Sequence, residues 1–297
     1  MDQRNMDMAR RVESSDVAYP FTFVVAGDSG AYPDPTADGI FNQLVDQVRR
    51  LDPAPVFFAN LGDFAGPGTM DRHEHYLRFV EPLGVPNLCA LGNHDVDDER
   101  GRQSFDRLHG PWNFHFKYGN TRFVVLRSVP GMVGDIEIPT DGPLAGLGPR
   151  EDDLVFLADA LERATESNRV VLMHMPPYLG GHFAPHADWG FTQREDEFLE
   201  ILHTHNVNLV CSAHGLAFDT VVHDGIRFVM SGGGGTGLCS HFRGVCTQGP
   251  GRPEDRGALF HAVELTISEA GDISGRVIQA FEGDDAAPRH RFESTAA

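Results

Sequence analysis

The stretch 87-NLCALGNHD-95 sets a short apolar run directly against Asn93, His94 and Asp95. A run of that length, bounded by a glycine, reads as one buried strand. Three residues able to hold a metal or move a proton then sit just past its carboxyl end. The same arrangement recurs along the chain. "FTFVVA" (21–26) leads to Gly27-Asp28, and "VFFAN" (56–60) leads to Leu61-Gly62-Asp63. "RVVLM" (169–173) is followed at once by His174, and "VNLVC" (207–211) by Ser-Ala-His214. Amphipathic helical stretches lie between these runs, near 39–51, 72–83, 151–164 and 192–205. Strands alternating with helices predict βαβ units and a largely parallel sheet, whose carboxyl strand ends converge on one crevice. Taken singly, an aspartate after a strand is as readily a turn or cap residue, and a lone histidine a core residue. Five strand exits carrying Asp, Asp, Asn-His-Asp, His and His are not what packing alone would produce.

Farther along, "FHFKYG" and "TRFVVLRS" read as a hairpin turning at Gly119-Asn120. In the last third, "FDTVVH", "IRFVMS", "FHAVELTI" and "ISGRVI" read as short antiparallel strands. Parallel units followed by a β-rich half predict an α/β fold of two face-to-face mixed sheets flanked by helices. One domain is expected over residues 17–282, with polar, fraying ends at 1–16 and 283–297.

The chain has 297 residues and a formal net charge of −19, and Lys117 is the single lysine among 24 basic residues. Such a surface repels nucleic-acid polymers and anionic membranes. A small phosphorylated substrate is compatible with it if a cation neutralises the pocket. No apolar run reaches the ~20 residues that span a bilayer, and the amino terminus lacks the apolar segment of a secretory signal. A cytoplasmic location is the expectation. Cys89 and Cys211 lie in apolar runs and read as buried small hydrophobes. Cys239 and Cys246 lie in a glycine-rich loop, where a disulfide between them and contact with a site are both open. In "DRHEHY" (71–76), His73 and His75 fall on different faces of a helix and read as solvated.

The stretches "VVAGDSG", "ANLGDFAG", "ALGNHD", "VLMHMPP" and "CSAHG", in that order, resemble the calcineurin-like metallophosphoesterase superfamily. The resemblance runs from about Phe21 to Ile278. It implies a four-layer sandwich with metal ions in a crevice between two sheets. It further implies that Asp63, Asn93, His174 and His214 hold one ion, with Asp28 and the bridging Asp63 facing a second. Imidazole with carboxylate and amide oxygen suits Mn, Fe, Zn or Ni. The implied reaction is phosphoric-ester hydrolysis by hydroxide generated at the metal, with His94 as the acid and Asp95 orienting it.

The sequence departs from the family at the second ion. Gly30 and Leu216 stand where the family carries histidines, and Gly66 stands where the purple acid phosphatase branch carries a tyrosine. One tightly bound ion, a second hard ion held weakly by Asp28, Asp63 and water, or replacement ligands are the open alternatives. Candidate replacements or substrate-binding residues are Tyr32, His182, His186, Cys239 and His241, with Arg127, Arg243 and Arg252 as candidate phosphate forks. A binding protein that keeps the ion without turnover and a metalloenzyme of other chemistry are the alternative functions.

Overall fold

The computed structural model describes residues 4–96, 99–129, 147–179, 190–240, 245–247, 259–281 and 291–294. Helix α1 (Arg4–Glu13) precedes strand β1 (Phe21–Ala26), helix α2 (Pro35–Arg49) and strand β2 (Phe58–Asn60). Helix α3 (Met70–Val80), strand β3 (Asn87–Cys89) and helix α4 (Glu99–Leu108) complete the first βαβ series. The hairpin β4 (Phe114–Tyr118) and β5 (Thr121–Val125) then opens a second series: α5 (Glu151–Glu162), β6 (Asn168–Leu172), α6 (Glu195–Thr204) and β7 (Leu209–Ser212). The remaining strands are β8 (Phe218–His223), β9 (Ile226–Ser231), β10 (Leu238–Ser240), β11 (Val245–Thr247), β12 (His261–Ile267), β13 (Ile273–Gln279) and β14 (Arg291–Ser294).

Two six-stranded mixed sheets result, ordered β14-β13-β12-β1-β2-β3 and β4-β5-β6-β7-β9-β8, and β10 with β11 forms a separate ribbon. The alternation along each strand explains the layering, since successive side chains face opposite sides. Phe23 and Val25 of β1 join Phe123 and Val125 of β5 and Val170 and Leu172 of β6 in one buried cluster between the sheets. Phe23 stacks on Phe57, and the Phe123 ring meets both edge-on at centroid distances of 5.2 and 5.1 Å. Val24, Val124 and Val171, one residue out of phase, fall in a second cluster with Phe41 and Leu44 of α2, Leu157 of α5 and Phe198 of α6. Burying each such side chain contributes roughly 1.5–3 kcal/mol. Among the described residues, no helix is long and apolar enough to cross a membrane.

Three expectations are corrected. The amino-terminal residues do not fray from position 4 on. The Asn5 side chain donates to the Cys89 carbonyl at 3.0 Å and accepts from the Cys89 N–H at 2.9 Å, while Ala9 and Val12 are buried. Strand β3 is an edge strand, and α1 satisfies backbone groups that an edge leaves unpaired. At the other end, Arg291–Ser294 pairs antiparallel with β13, while 283–290 lies outside the described residues. Third, β9 is not purely antiparallel. It pairs antiparallel with β8 but parallel with β7, because the β8–β9 hairpin folds back and inserts β9 next to β7.

Candidate metal centre

The parallel strands β1, β2 and β3 of one sheet and β6 and β7 of the other end at the same edge, and the turns leaving them interlock. The Asp28 N–H bonds the Gly62 carbonyl at 2.9 Å, the Gly30 N–H bonds Asp63 O at 2.9 Å, and the Ala213 N–H bonds His174 O at 2.7 Å. Asp28, Asp63 and His214 all adopt left-handed backbone, at φ 58°, 57° and 62°. That region is uncommon for residues with a Cβ and tends to cluster at sites the surrounding structure over-determines. Here it turns each side chain back into the crevice as soon as its strand ends.

Four donor atoms meet around His174, whose side chain is fully buried. Its Nε2 lies 3.2 Å from Asn93 Oδ1, 3.3 Å from Asp63 Oδ2 and 3.2 Å from His214 Nδ1. The ligand atoms of Asp63, His174 and His214 all lie within 4.8 Å of one another. Metal–ligand bonds of 2.0–2.2 Å in a tetrahedron place neighbouring ligand atoms about 3.3–3.6 Å apart, so the spacing suits one shared ion. His174 Nδ1 lies 2.8 Å from the Leu61 carbonyl. That carbonyl accepts a hydrogen bond from Nδ1–H and so turns the Nε2 lone pair toward the crevice, the outer-sphere partner usual for a ligating histidine.

The electrostatics point the same way. Burial lowers the His174 pKa, but the neighbouring Asp63 more than reverses this and raises it to about 9. Burial would raise Asp63, and His174 instead holds it well below the usual carboxylate range. A positive charge is therefore favoured where the lone pairs converge, and a divalent cation satisfies all four donors where a proton cannot. Asp28, beside them, is pushed up to about 8 by burial, with Asp63 adding to the rise. Its Oδ2 is buried without a hydrogen-bond partner, an acceptor that a cation would satisfy. The donor set fits a metal.

Two of the positions that depart from the family, Gly30 and Gly66, are closed by backbone. A Cβ on Gly30 would lie 2.6 Å from the Phe64 carbonyl oxygen, and one on Gly66 would collide with the Ala31 carbonyl. These contacts arise because the two loops pair directly, Gly66 N–H to Gly30 O at 2.9 Å. Neither side chain is merely missing; the loop pairing occupies its place. Gly30→His is therefore expected to add no second ion and to lower the thermal midpoint by several degrees, as overpacking of about 1–3 kcal/mol does. Metal analysis and a melting curve on that variant check it, and a stable protein with one additional ion would contradict it.

Asp95 is placed otherwise than as the orienting partner of His94. Its Oδ2 accepts from the N–H groups of Asp63 and Gly92, both at 2.9 Å, and its Oδ1 from Phe64 at 2.9 Å and Ala65 at 2.8 Å. The carboxylate, fully buried, ties the turn carrying Asp63 to the turn carrying Asn93. Burial and Asp63 push its pKa up to about 7, against the pull of the Gly92 and Ala65 N–H groups and of His174. His94 lies at the rim, its own N–H bonded to Asp63 Oδ1 at 2.9 Å.

Tyr32 is brought to His94, its Oη 3.3 Å from Nε2. Cys239 sits in β10, in register with Cys246 of β11. His182, His186, His241, Arg243 and Arg252 lie outside the described residues. Arg127 is no phosphate fork. It is buried against Asp153 at 2.9 Å and Asp152 at 3.1 Å, with its guanidinium over Trp112. His73 is buried, not solvated, because its face of α3 also carries Tyr76 and Val80. Its Nδ1 meets His109 Nε2 at 3.2 Å and its Nε2 meets the Asp95 carbonyl at 3.2 Å, bracing the GNHD turn from behind. Burial pushes His73 down to about 4 and His109 well below its usual value, so the pair is neutral. Asn60, not anticipated as part of the site, accepts from Gly62 N–H and donates to Ser29 Oγ, both at 3.0 Å. A polar residue closing the apolar run of β2 was its signal.

Three relatives illustrate the likeness. A serine/threonine-protein phosphatase, CPPED1, of Pongo abelii is 26% identical over 204 residues, covering 64% of this chain and 56% of that protein. A 3',5'-cyclic adenosine monophosphate phosphodiesterase, CpdA, of Pseudomonas aeruginosa is 28% identical over 139 residues, covering 46% and 45%. The matches span about half the length of these curated relatives. A dimetal phosphatase from Danio rerio superposes with a TM-score of 0.67 at 14% identity, over 94% of this chain and 100% of that one, which bears on the fold. The calcineurin-like phosphoesterase profile matches residues 21–217, the span that carries Asp28, Asp63, Asn93, His174 and His214, and the chain belongs to that family.

Proposed function

We propose that the protein is a metal-dependent phosphoric-ester hydrolase, a phosphomonoesterase or phosphodiesterase, acting on a small soluble phosphorylated substrate. The observation that carries this reading is the convergence of Asn93 Oδ1, Asp63 Oδ2 and His214 Nδ1 within 3.2–3.3 Å of His174 Nε2. One divalent transition ion, Mn, Fe, Zn or Ni, is held tightly there. When bound, such an ion polarises a phosphoryl oxygen and acidifies water.

The chain's own residues do the rest. Asp63 offers Oδ2 to the ion position while the His94 N–H holds its Oδ1, which fixes the carboxylate plane. His94, on the residue after a ligand, presents its ring at the rim, where a leaving oxygen departs and takes a proton. With a net charge of −19, the surface disfavours long polyanions, and the local cation lets a small phosphate ester enter. The names of the curated relatives, a phosphatase and a phosphodiesterase, support ester chemistry at phosphorus without choosing between them.

The test is assay of the chain loaded in turn with Mn, Fe, Zn and Ni on an aryl phosphate and a bis-aryl phosphate. Hydrolysis of at least one ester, absent from the chelated protein, is the expected result. Absence of turnover with every metal would overturn the proposal.

A further inference from the structure

His73 and His109 take no part in the proposed reaction, yet they form a polar pair buried between the two turns that carry its ligands. Phe64, the residue after Asp63, packs on both imidazoles, at centroid distances of 5.8 Å to His73 and 5.1 Å to His109. Phe105 of α4 packs on them at 6.0 and 5.0 Å. Both histidine side chains are fully buried. Apolar side chains of the same shape would fill such a pocket without polar atoms to satisfy.

The protons of the pair have one arrangement. A carbonyl oxygen only accepts, so His73 Nε2, 3.2 Å from Asp95 O, carries a proton. The Gly68 carbonyl is a further acceptor beside the ring. Burial keeps His73 neutral, with a single ring proton, so its Nδ1 accepts from His109 Nε2–H at 3.2 Å. His109 Nδ1 is then a bare lone pair, buried and without a hydrogen-bond partner among the described residues. Packing alone does not call for that unpaired acceptor.

The directed end of the chain is the Asp95 carbonyl. It belongs to the one-turn helix Asn93–Val96, and the last carbonyls of a short helix find no partner within it. Gly68 leaves room for it, since a Cβ there would lie 2.5 Å from the oxygen. Asp95 is thus held at both ends. Its carbonyl takes the His73 proton, and its carboxylate takes the N–H groups of Asp63, Phe64, Ala65 and Gly92.

We propose that His73 is a positioning residue for the metal centre, its Nε2–H fixing the Asp95 carbonyl and so the spacing between the turn that carries Asn93 and the turn that carries Asp63. The inference rests on the reading of those two residues as metal ligands.

Two amides of different reach test it, because each offers a donor and an acceptor as a neutral imidazole does. In His73→Gln the NH₂ group extends to about where Nε2 stood, whereas in His73→Asn the amide ends near Nδ1. Zn²⁺ is the probe, being among the ions held more tightly by such donors, and its affinity is read by competition with a chromophoric chelator. Affinity should stay within about threefold of wild type in His73→Gln and fall about tenfold in His73→Asn, the lower end of the 10–100-fold that outer-sphere support contributes. A purely structural role would lower the melting temperature of both variants and leave their Zn²⁺ affinities equal, which would overturn the proposal. A tenfold loss in His73→Gln, which keeps the donor, would overturn it as well. If the wild-type chain binds no Zn²⁺, the metal reading fails, and amide hydrogen exchange then judges the His73 contact. Exchange at Asp63, Phe64, Ala65 and Gly92 should be about tenfold faster in His73→Asn than in His73→Gln; equal exchange would overturn the contact itself.

Discussion

Asn93→Ala is expected to strip the ion and lower kcat/KM by about a thousandfold or more, since loss of the ion removes both the polarising charge and the acidified water. The amide is the neutral member of the donor set, with Oδ1 3.2 Å from His174 Nε2. Removing it leaves three of four donors and no new charge. Changes to residues that merely support a ligand cost 10–100-fold in metal affinity, and a direct ligand costs more. Asn93 is 8% exposed and lies in a one-turn 3-10 helix, so truncation opens little cavity. Elemental analysis, steady-state kinetics and circular dichroism on one preparation separate the outcomes. A folded variant that keeps its metal and its rate would contradict the assignment.

Asp95→Asn is expected to destabilise the fold by about 4 kcal/mol before it affects chemistry. Four backbone N–H groups converge on one buried carboxylate, and an amide accepts through one end alone. Two of those donors would then face an NH₂ group. Hydrogen bonds to a charged group contribute about 1.5–3 kcal/mol each, and a buried donor left unpaired costs about 1–3 kcal/mol. The urea midpoint should fall accordingly. If stability moves by less than about 1 kcal/mol while kcat collapses, Asp95 serves His94 directly, as the family resemblance had implied, and the tether described here is secondary.

Much of the site was legible because it is built from strand ends. An apolar run followed at once by Asp63, by Asn93 or by His174 is a local pattern, and the parallel arrangement that brings such ends together follows from strand–helix alternation. What escaped reading depends on pairs distant in sequence. Asn5 meets Cys89 across 84 positions, and nothing in a polar amino terminus announces that it will cover an edge strand. His73 looked solvated because its neighbours are charged; its burial follows from sharing one helix face with Tyr76 and Val80. Asp95 was assigned to the histidine beside it in sequence, whereas its acceptors reach a turn about thirty residues earlier. The glycines at 30 and 66 read as lost ligands, yet their meaning is steric and appears only when the two loops are seen to pair. Leu216, two residues after His214 and also in left-handed backbone at φ 49°, stands at the same departure from the family.

The most direct measurement is the anomalous scattering of a crystal grown from metal-loaded protein. The predicted result is one strong peak, about 2.1 Å from His174 Nε2 and His214 Nδ1, with Asp63 and Asn93 completing its coordination. A peak bound elsewhere, or none at this position in protein that hydrolyses phosphate esters, would contradict the account.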